Sequence, residues 1–323
     1  MGPLILTSTE IGLELKTVPT PAPGRGTVLV RVEAASVISY HRDIFSGARN
    51  YPLPSPTPDG GLGFAGGFSA VGRVAAVGPD GSRHLANRVW RDGAFAEYVA
   101  LPLENCHPLD EPRLCGQLGY SAADLAYTSY LSVAFGGLRD IRLEPGETLV
   151  VCPATGGFGG AGVLTAVAMG ARVLAMCRSE AELARLRARV AATFAAGNNR
   201  VETVRVTGDA AAGNSTHLRS AMRALRRGGR VSLMGMTADF GDCAVAAKNL
   251  TLKGKVMYER EDLVQFVKML EAGLFPRGQG GNSEMVEGNS FVDTMVFRLD
   301  QAKEALDAAA EHTGLGRHVV FKP

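Results

Sequence analysis

The residues best equipped for chemistry lie between positions 149 and 179, LVVCPATGGFGGAGVLTAVAMGARVLAMCRS. Within this stretch, Ala154-Thr155-Gly156-Gly157-Phe158-Gly159 matches G-x-G-x-x-G with alanine in the first place. Small residues at this spacing let the chain turn sharply, bring its backbone close to a pyrophosphate, and pack the next helix tightly on a sheet. The N–H groups and positive dipole end of that helix then face the phosphates. About twenty residues further on, a carboxylate usually meets the ribose hydroxyls of NAD. Here that place reads Cys177-Arg178-Ser179. A guanidinium and a hydroxyl suit a 2′-phosphate that a carboxylate would repel, so NADPH is expected ahead of NADH. A competing reading leaves Arg178 solvated and Ser179 a mere helix cap, with Glu180 close enough to cloud the choice.

Strands and helices must position these groups. Residues 149–152 read as the incoming strand, and the apolar run ending at Cys177 as a second one. Ser179 and Glu182 form an S-x-x-E capping box, followed by Leu183, Leu186, Val190 and Phe194 at helical spacing. Residues 201–207 (VETVRVT) form a strand, and residues 216–227 a helix that carries Leu218, Met222 and Leu225. Gly228-Gly229 stops that helix before a strand at 230–234. A helix at 262–272 stops at Gly273, residues 278–290 are loop, Asp300 caps a last helix, and RHVVF at 317–321 is a closing strand. The first hundred residues instead hold short strands, at 27–33, 71–77 and 95–101, punctuated by glycine and proline. That pattern predicts a compact β-barrel-like domain.

Composition narrows the class. The chain has 323 residues, 46% hydrophobic and 20% charged, with a net charge of +2. This is an ordinary globular make-up, with no basic footprint for nucleic acid and no polybasic membrane patch. The five cysteines are scattered and odd in number, as in a reduced, cytoplasmic protein. The N-terminus lacks a signal-peptide pattern, no run is long enough to span a bilayer, and Leu6 stands where myristoylation would want Ser or Thr.

Taken in order, several segments resemble the medium-chain dehydrogenase/reductase superfamily, on its quinone-oxidoreductase and alcohol-dehydrogenase-like side. They are PAPGRGTVLVRVEAASV, DGAFAEYVALPLENCHPLD, AYTSYLSVAFGGL, LEPGETLVVCPATGGFGG, RRGGRVSLMG, LTLKGKVMYE and FRLDQAKEALDAAAEHTGLGRHVVF. The resemblance implies an α/β protein. A GroES-like β-barrel domain (1–120 and 291–323) would serve the substrate, and a Rossmann-type doubly wound parallel sheet (121–290) the dinucleotide, with the cofactor in the cleft between them. Zinc members carry Cys-x-x-Asp and then Gly-His-Glu. The matching stretches here are Tyr40-His41-Arg42-Asp43 and Gly66-Gly67-Phe68, so no zinc is expected. Tyr40, at the place of the cysteine ligand, and Tyr51, which matches by position the proton-donating tyrosine of enoyl thioester reductases, are the catalytic candidates. Either is equally readable as pocket wall. By the same resemblance Thr128, Gly235, Met236 and Thr237 flank the nicotinamide, Lys255 and Met257 are weaker candidates, and a homodimer is a family habit.

One stretch departs from the family. From Arg178 to Arg230 the chain spends only 52 residues where members fit two strands and their helices. Either the sheet is trimmed by one strand or that strand is hidden in the sequence. Two functions follow. One is an NADPH-dependent, zinc-independent oxidoreductase acting on an activated C=C or ketone of a small molecule. The other is a dinucleotide-binding protein without dehydrogenase activity, regulatory or turned to a non-redox reaction such as cyclisation.

Overall fold

The computed structural model describes residues 4–9, 12–49, 66–79, 93–194, 200–207, 216–235, 245, 248–275, 292–312 and 314–323. The chain opens with a hairpin, β1 (Leu4–Thr9) and β2 (Gly12–Thr17). The long strand β3 (Thr27–Val37), the short helix α1 (His41–Phe45), β4 (Ala70–Val77) and β5 (Tyr98–Pro102) follow. Next come α2 (Ala122–Ala126), α3 (Thr128–Asp140), β6 (Thr148–Val151), α4 (Gly157–Ala168), β7 (Arg172–Cys177), α5 (Glu180–Thr193) and β8 (Val201–Arg205). The chain closes with α6 (Thr216–Ala224), β9 (Arg230–Leu233), β10 (Thr251–Gly254), α7 (Arg260–Glu271), β11 (Asp293–Phe297), α8 (Ala302–Glu311) and β12 (Arg317–Phe321).

Strand β3 is the spine of a five-stranded mixed sheet. Its 28–35 edge pairs antiparallel with β4. Its other edge is shared by β5 along 27–31 and by β12 along 35–37, and β11 adds outside β12 in parallel. β3 runs on past residue 33 because Ala34, Ala35, Ser36 and Val37 are all buried and take β12 as a neighbour. The hairpin joins this sheet through the Leu6 N–H, which donates to the Phe95 carbonyl at 2.8 Å. Leu6, Val32, Phe95, Leu306, Val319 and Phe321 make the core here.

The second core surrounds α4, whose Val163, Leu164, Ala166 and Val167 are all buried. α4 carries the chain between β6 and β7, and β6, β7 and β8 form a parallel three-stranded sheet in that order. β9 and β10 form a separate parallel pair. Among the described residues no strand joins the open edge of β6 to that of β9. Residues 195–199 and 208–215 of the 178–230 interval lie outside the described residues. Leu149, Val150 and Val151 are half-buried. Side chains link the two described pieces of the sheet. Glu147, before β6, pairs with Arg230 of β9 and lies 3.5 Å from Arg226. Lys253 of β10 lies 3.5 Å from Asp140 at the end of α3.

Two local expectations change. Ser179 caps α5 by accepting the Glu182 N–H at 3.3 Å, but the Glu182 carboxylate turns to Arg185, so only half of the capping box forms. Asp300 does not cap α8. It lies in a 3₁₀ turn at Leu299–Gln301 and pairs with Arg298.

Candidate active site

The glycine turn is built by close approach. Its first residue, Ala154, is fully buried and donates its N–H to the Met176 carbonyl at 2.9 Å, which stitches the turn to β7. A Cβ on Gly159 would sit 2.0 Å from the Pro153 carbonyl oxygen, and one on Gly157 would sit 2.8 Å from the Tyr130 ring. Gly156 is the reverse case, because a Cβ there would meet nothing within 4 Å. Gly156 is also the N-cap of α4 and provides no side-chain cap. An open backbone therefore stands at the start of a 12-residue helix, with its first N–H groups and dipole turned to the same space. These residues fit the pyrophosphate of a dinucleotide. Thr155 Oγ1 is 2.8 Å from Cys177 Sγ, which ties the turn to the end of β7.

Arg178 and Ser179 are exposed just beyond that strand. The acidic residues nearby have other partners: Glu180 pairs with Arg187 at 3.5 Å and Glu182 with Arg185 at 2.8 Å. Among the described residues no carboxylate pairs with Arg178. The Ser179 hydroxyl accepts the α5 N–H described above, so its capping role is real and leaves the Arg178 guanidinium as the distinctive group. Sequence reasoning missed Arg317, which lines a small recess with Thr155, Glu182, Leu186, Gly314 and Leu315. Gly314 and Gly316, at φ 137° and 70°, turn the chain so that the start of β12 meets the glycine turn. That Gly-x-Gly spacing was the available signal.

On the other side of the turn, aromatic rings gather. Phe158 packs against Tyr130, with ring centroids 4.7 Å apart, and stacks with Tyr40 at 6.4 Å and 28°. Tyr40 precedes α1 with φ −102° and ψ 6°, a sparsely populated backbone region common at functional sites. Its half-buried side chain packs against both cores. The Arg49 guanidinium carbon lies 4.6 Å from the centre of the Tyr40 ring. Burial pushes the Tyr130 phenol far above its ordinary range. Thr128 is half-buried at the first turn of α3, with its hydroxyl donating to the Leu125 carbonyl at 2.6 Å. Gly235 is exposed after β9, in the separate strand pair, and no contact ties it to the turn among the described residues. Lys255 pairs with Glu259 at 2.8 Å, and Met257 is exposed. Tyr51, Met236 and Thr237 lie outside the described residues.

His41 is the residue next to Tyr40, and its surroundings are apolar. It is fully buried among Phe45, Phe68 and Phe95, with ring centroids at 5.5, 4.9 and 5.3 Å. Nδ1 accepts the Ile38 N–H at 3.2 Å, and burial holds the imidazole neutral with its pKa lowered to about 3. Phe68 thus meets the His41 ring edge-on, at an interplanar angle of 61°. Among the described residues no three of His, Cys, Asp and Glu converge as metal ligands would. A second histidine, His318, is also buried. Its Nε2 lies 2.7 Å from Ser36 Oγ, which lies 3.2 Å from Ser129 Oγ, so β12, β3 and α3 meet at one polar chain. Burial lowers its pKa to about 3 as well. Beside it, the buried Tyr127 hydroxyl accepts the Gly316 N–H at 3.2 Å.

No protein-family model matches the chain. Alcohol dehydrogenase 1 of Emericella nidulans is 26% identical over 196 residues, which span 51% of this chain and 52% of that protein. The chain therefore aligns with about half the length of that relative. An alcohol dehydrogenase of Rhizobium meliloti is 26% identical over 306 residues, 81% of this chain and 85% of its own. Among solved structures, the quinone oxidoreductase of Thermus thermophilus, determined also with NADPH, matches at TM-score 0.66 and 25% identity over all of both chains. A thermostable alcohol dehydrogenase from Pyrobaculum aerophilum matches at TM-score 0.69 and 22% identity, covering 100% of this chain and 99% of its own. Among the described residues no helix is long and apolar enough to cross a membrane. The chain has the fold of the medium-chain dehydrogenase/reductase superfamily, in the company of alcohol dehydrogenases and quinone oxidoreductases.

Proposed function

We propose that the chain is an NADPH-dependent oxidoreductase that works without zinc and reduces an activated C=C or a ketone of a small organic substrate. In this reading residues 1–120 with 291–323 receive the substrate, and residues 121–290 hold the dinucleotide. One observation carries it: a single turn has an open backbone cradle at Gly156, an arginine without a carboxylate partner among the described residues beyond it, and Phe158 stacked with Tyr40. The dinucleotide supplies a hydride when bound. The N–H groups at the start of α4 hold its pyrophosphate, and Arg178 with Ser179 holds the 2′-phosphate. Pairing of Glu180 and Glu182 with arginines of their own helix removes repulsion from that end.

Tyr40 supplies the proton. The substrate's double bond gains a hydride at one atom and the phenolic proton at the other, and the phenolate is reprotonated from water. Tyr51 is the alternative donor. Thr128 flanks the nicotinamide, with Gly235 and Met236 as its far wall. The zinc-free reading rests on residue type, because Tyr40 and Phe68 replace ligands and His41 is sealed in phenylalanine rings. The unpaired cysteines among the described residues support a cytoplasmic protein, and the edge of β10 that no described strand pairs, with Val256 86% exposed beside it, supports a homodimer.

That no described strand lies between β6 and β9 favours a second reading, a dinucleotide-binding protein without dehydrogenase activity. NADPH consumption with a panel of enones and ketones separates the two. Turnover that falls about 100-fold in Tyr40→Phe supports the first. Tight binding without turnover across the panel supports the second, and failure to bind either dinucleotide sinks the first.

A further inference from the structure

We propose that Arg49 is an anion subsite, so that the substrate reduced beside Tyr40 is a small carboxylic acid carrying its C=C or ketone a few atoms from the carboxylate. The inference rests on the reductase reading for the reaction, but the subsite itself stands on geometry. Arg49 follows α1 in a turn held by backbone bonds: the N–H groups of Ser46, Gly47 and Arg49 donate to the carbonyls of Arg42, Ile44 and Asp43 at 3.0, 3.1 and 2.9 Å. Gly47, at φ 73°, lets the chain double back. The guanidinium is thereby presented over the Tyr40 ring, 4.6 Å from its centre.

A guanidinium that lies on a ring spends its face on the stack and keeps its in-plane N–H fork for another partner. Other arginines of the first hundred residues have carboxylates: Arg42 of α1 pairs with Asp307 at 3.2 Å, Arg31 with Glu33 at 3.8 Å, and Arg73 with Glu33 and Glu111. Arg49 has none among the described residues, and it is exposed. An unpaired fork beside a proposed proton donor matches a substrate carboxylate, which it binds bidentately. Tyr40 packs at once on Phe158 of the cofactor turn and beneath Arg49, so the anion subsite and the proton donor lie side by side at that turn.

The test uses the full chain and two pairs of probes. Levulinate and methyl levulinate are titrated calorimetrically. 4-Oxopent-2-enoate and its methyl ester are offered as substrates with NADPH. The proposal expects wild type to prefer levulinate to its ester by about tenfold or more, a preference that Arg49→Gln abolishes and Arg49→Lys keeps in part. The ratio of kcat/KM for acid over ester should fall by the same factor in Arg49→Gln. Equal binding of acid and ester by wild type, or an unchanged preference in Arg49→Gln, overturns the subsite. A binding preference without consumption of either substrate upholds the subsite and removes the reductase reading. Equal consumption of acid and ester does the reverse.

Discussion

In one piece of the cofactor sheet, β6, β7 and β8 are held together by parallel ladders, and the glycine turn is stitched to β7 through Ala154 and Met176. In the other piece, β9 and β10 ladder only to each other among the described residues, and the side chains of Glu147, Arg226 and Arg230 link them to the start of β6. The first piece carries Gly156, Thr155 and Arg178 and so contains the groups for a pyrophosphate and a 2′-phosphate. The second carries Gly235, where a nicotinamide wall was expected. The contrast separates two demands on a dinucleotide site. Holding the adenosine end needs one strand, one turn and one helix. Placing the nicotinamide needs both pieces to keep their relation, and no backbone hydrogen bond joins the two among the described residues.

The largest effect should come from the turn itself. Gly159→Val forces side-chain atoms against the Pro153 carbonyl and should cost about 1–3 kcal/mol of stability while abolishing dinucleotide binding. Gly156→Ala meets open space, so thermal unfolding should be unchanged while binding weakens. If both variants unfold and bind alike, the turn is not the cradle described.

The next effect lies outside the cofactor sheet. His41 and His318 have pKa values lowered by burial from 6.5 to about 3. Their neutral forms contribute fully above pH 6.5, and the contribution is lost as the pH falls from 6.5 toward 3. At pH 5 each should have cost the fold about 2 kcal/mol. Hydrogen exchange at pH 5 should therefore weaken protection in β3 and β12 before β6 and β7. His318→Gln should flatten the pH dependence of the urea midpoint. Uniform loss across both regions would remove this distinction.

A smaller effect tests the link between the two pieces. Glu147 has its pKa lowered by the Glu144 backbone N–H and by Arg230, and its pairs are partly solvated. Glu147→Gln should cost about 0.5–1 kcal/mol and raise exchange in β9 more than in β7. Equal exchange in the two strands would mean that something other than Glu147 joins the pieces.

Much of this was legible in the residues. The strand, turn, helix and strand around the glycines have local signals, and the structure forms them within a few residues of the expected bounds. The short interval between Arg178 and Arg230 was legible, but only the pairing shows that no described strand lies between β6 and β9. What stayed hidden depends on contacts between distant positions. Ser36 and His318 are far apart in sequence and adjacent in space. Arg317 meets Thr155 only because β12 folds back. His41 stands one residue from Tyr40 in the sequence, yet phenylalanines from three segments enclose it. Periodicity reports which face of an element is apolar, not which other element will cover it. Half of the Ser179 capping box failed for a related reason, since Arg185 competes for the Glu182 carboxylate.

Binding of NADPH by the first piece of the sheet, through the turn and Arg178, is read by a fluorescence titration of wild type and Arg178→Asp with NADPH and NADH. Wild type should bind NADPH about tenfold or more tighter than NADH, and Arg178→Asp should lose this preference. Binding of NADH as tight as NADPH by wild type, or an unaltered preference in Arg178→Asp, would contradict it.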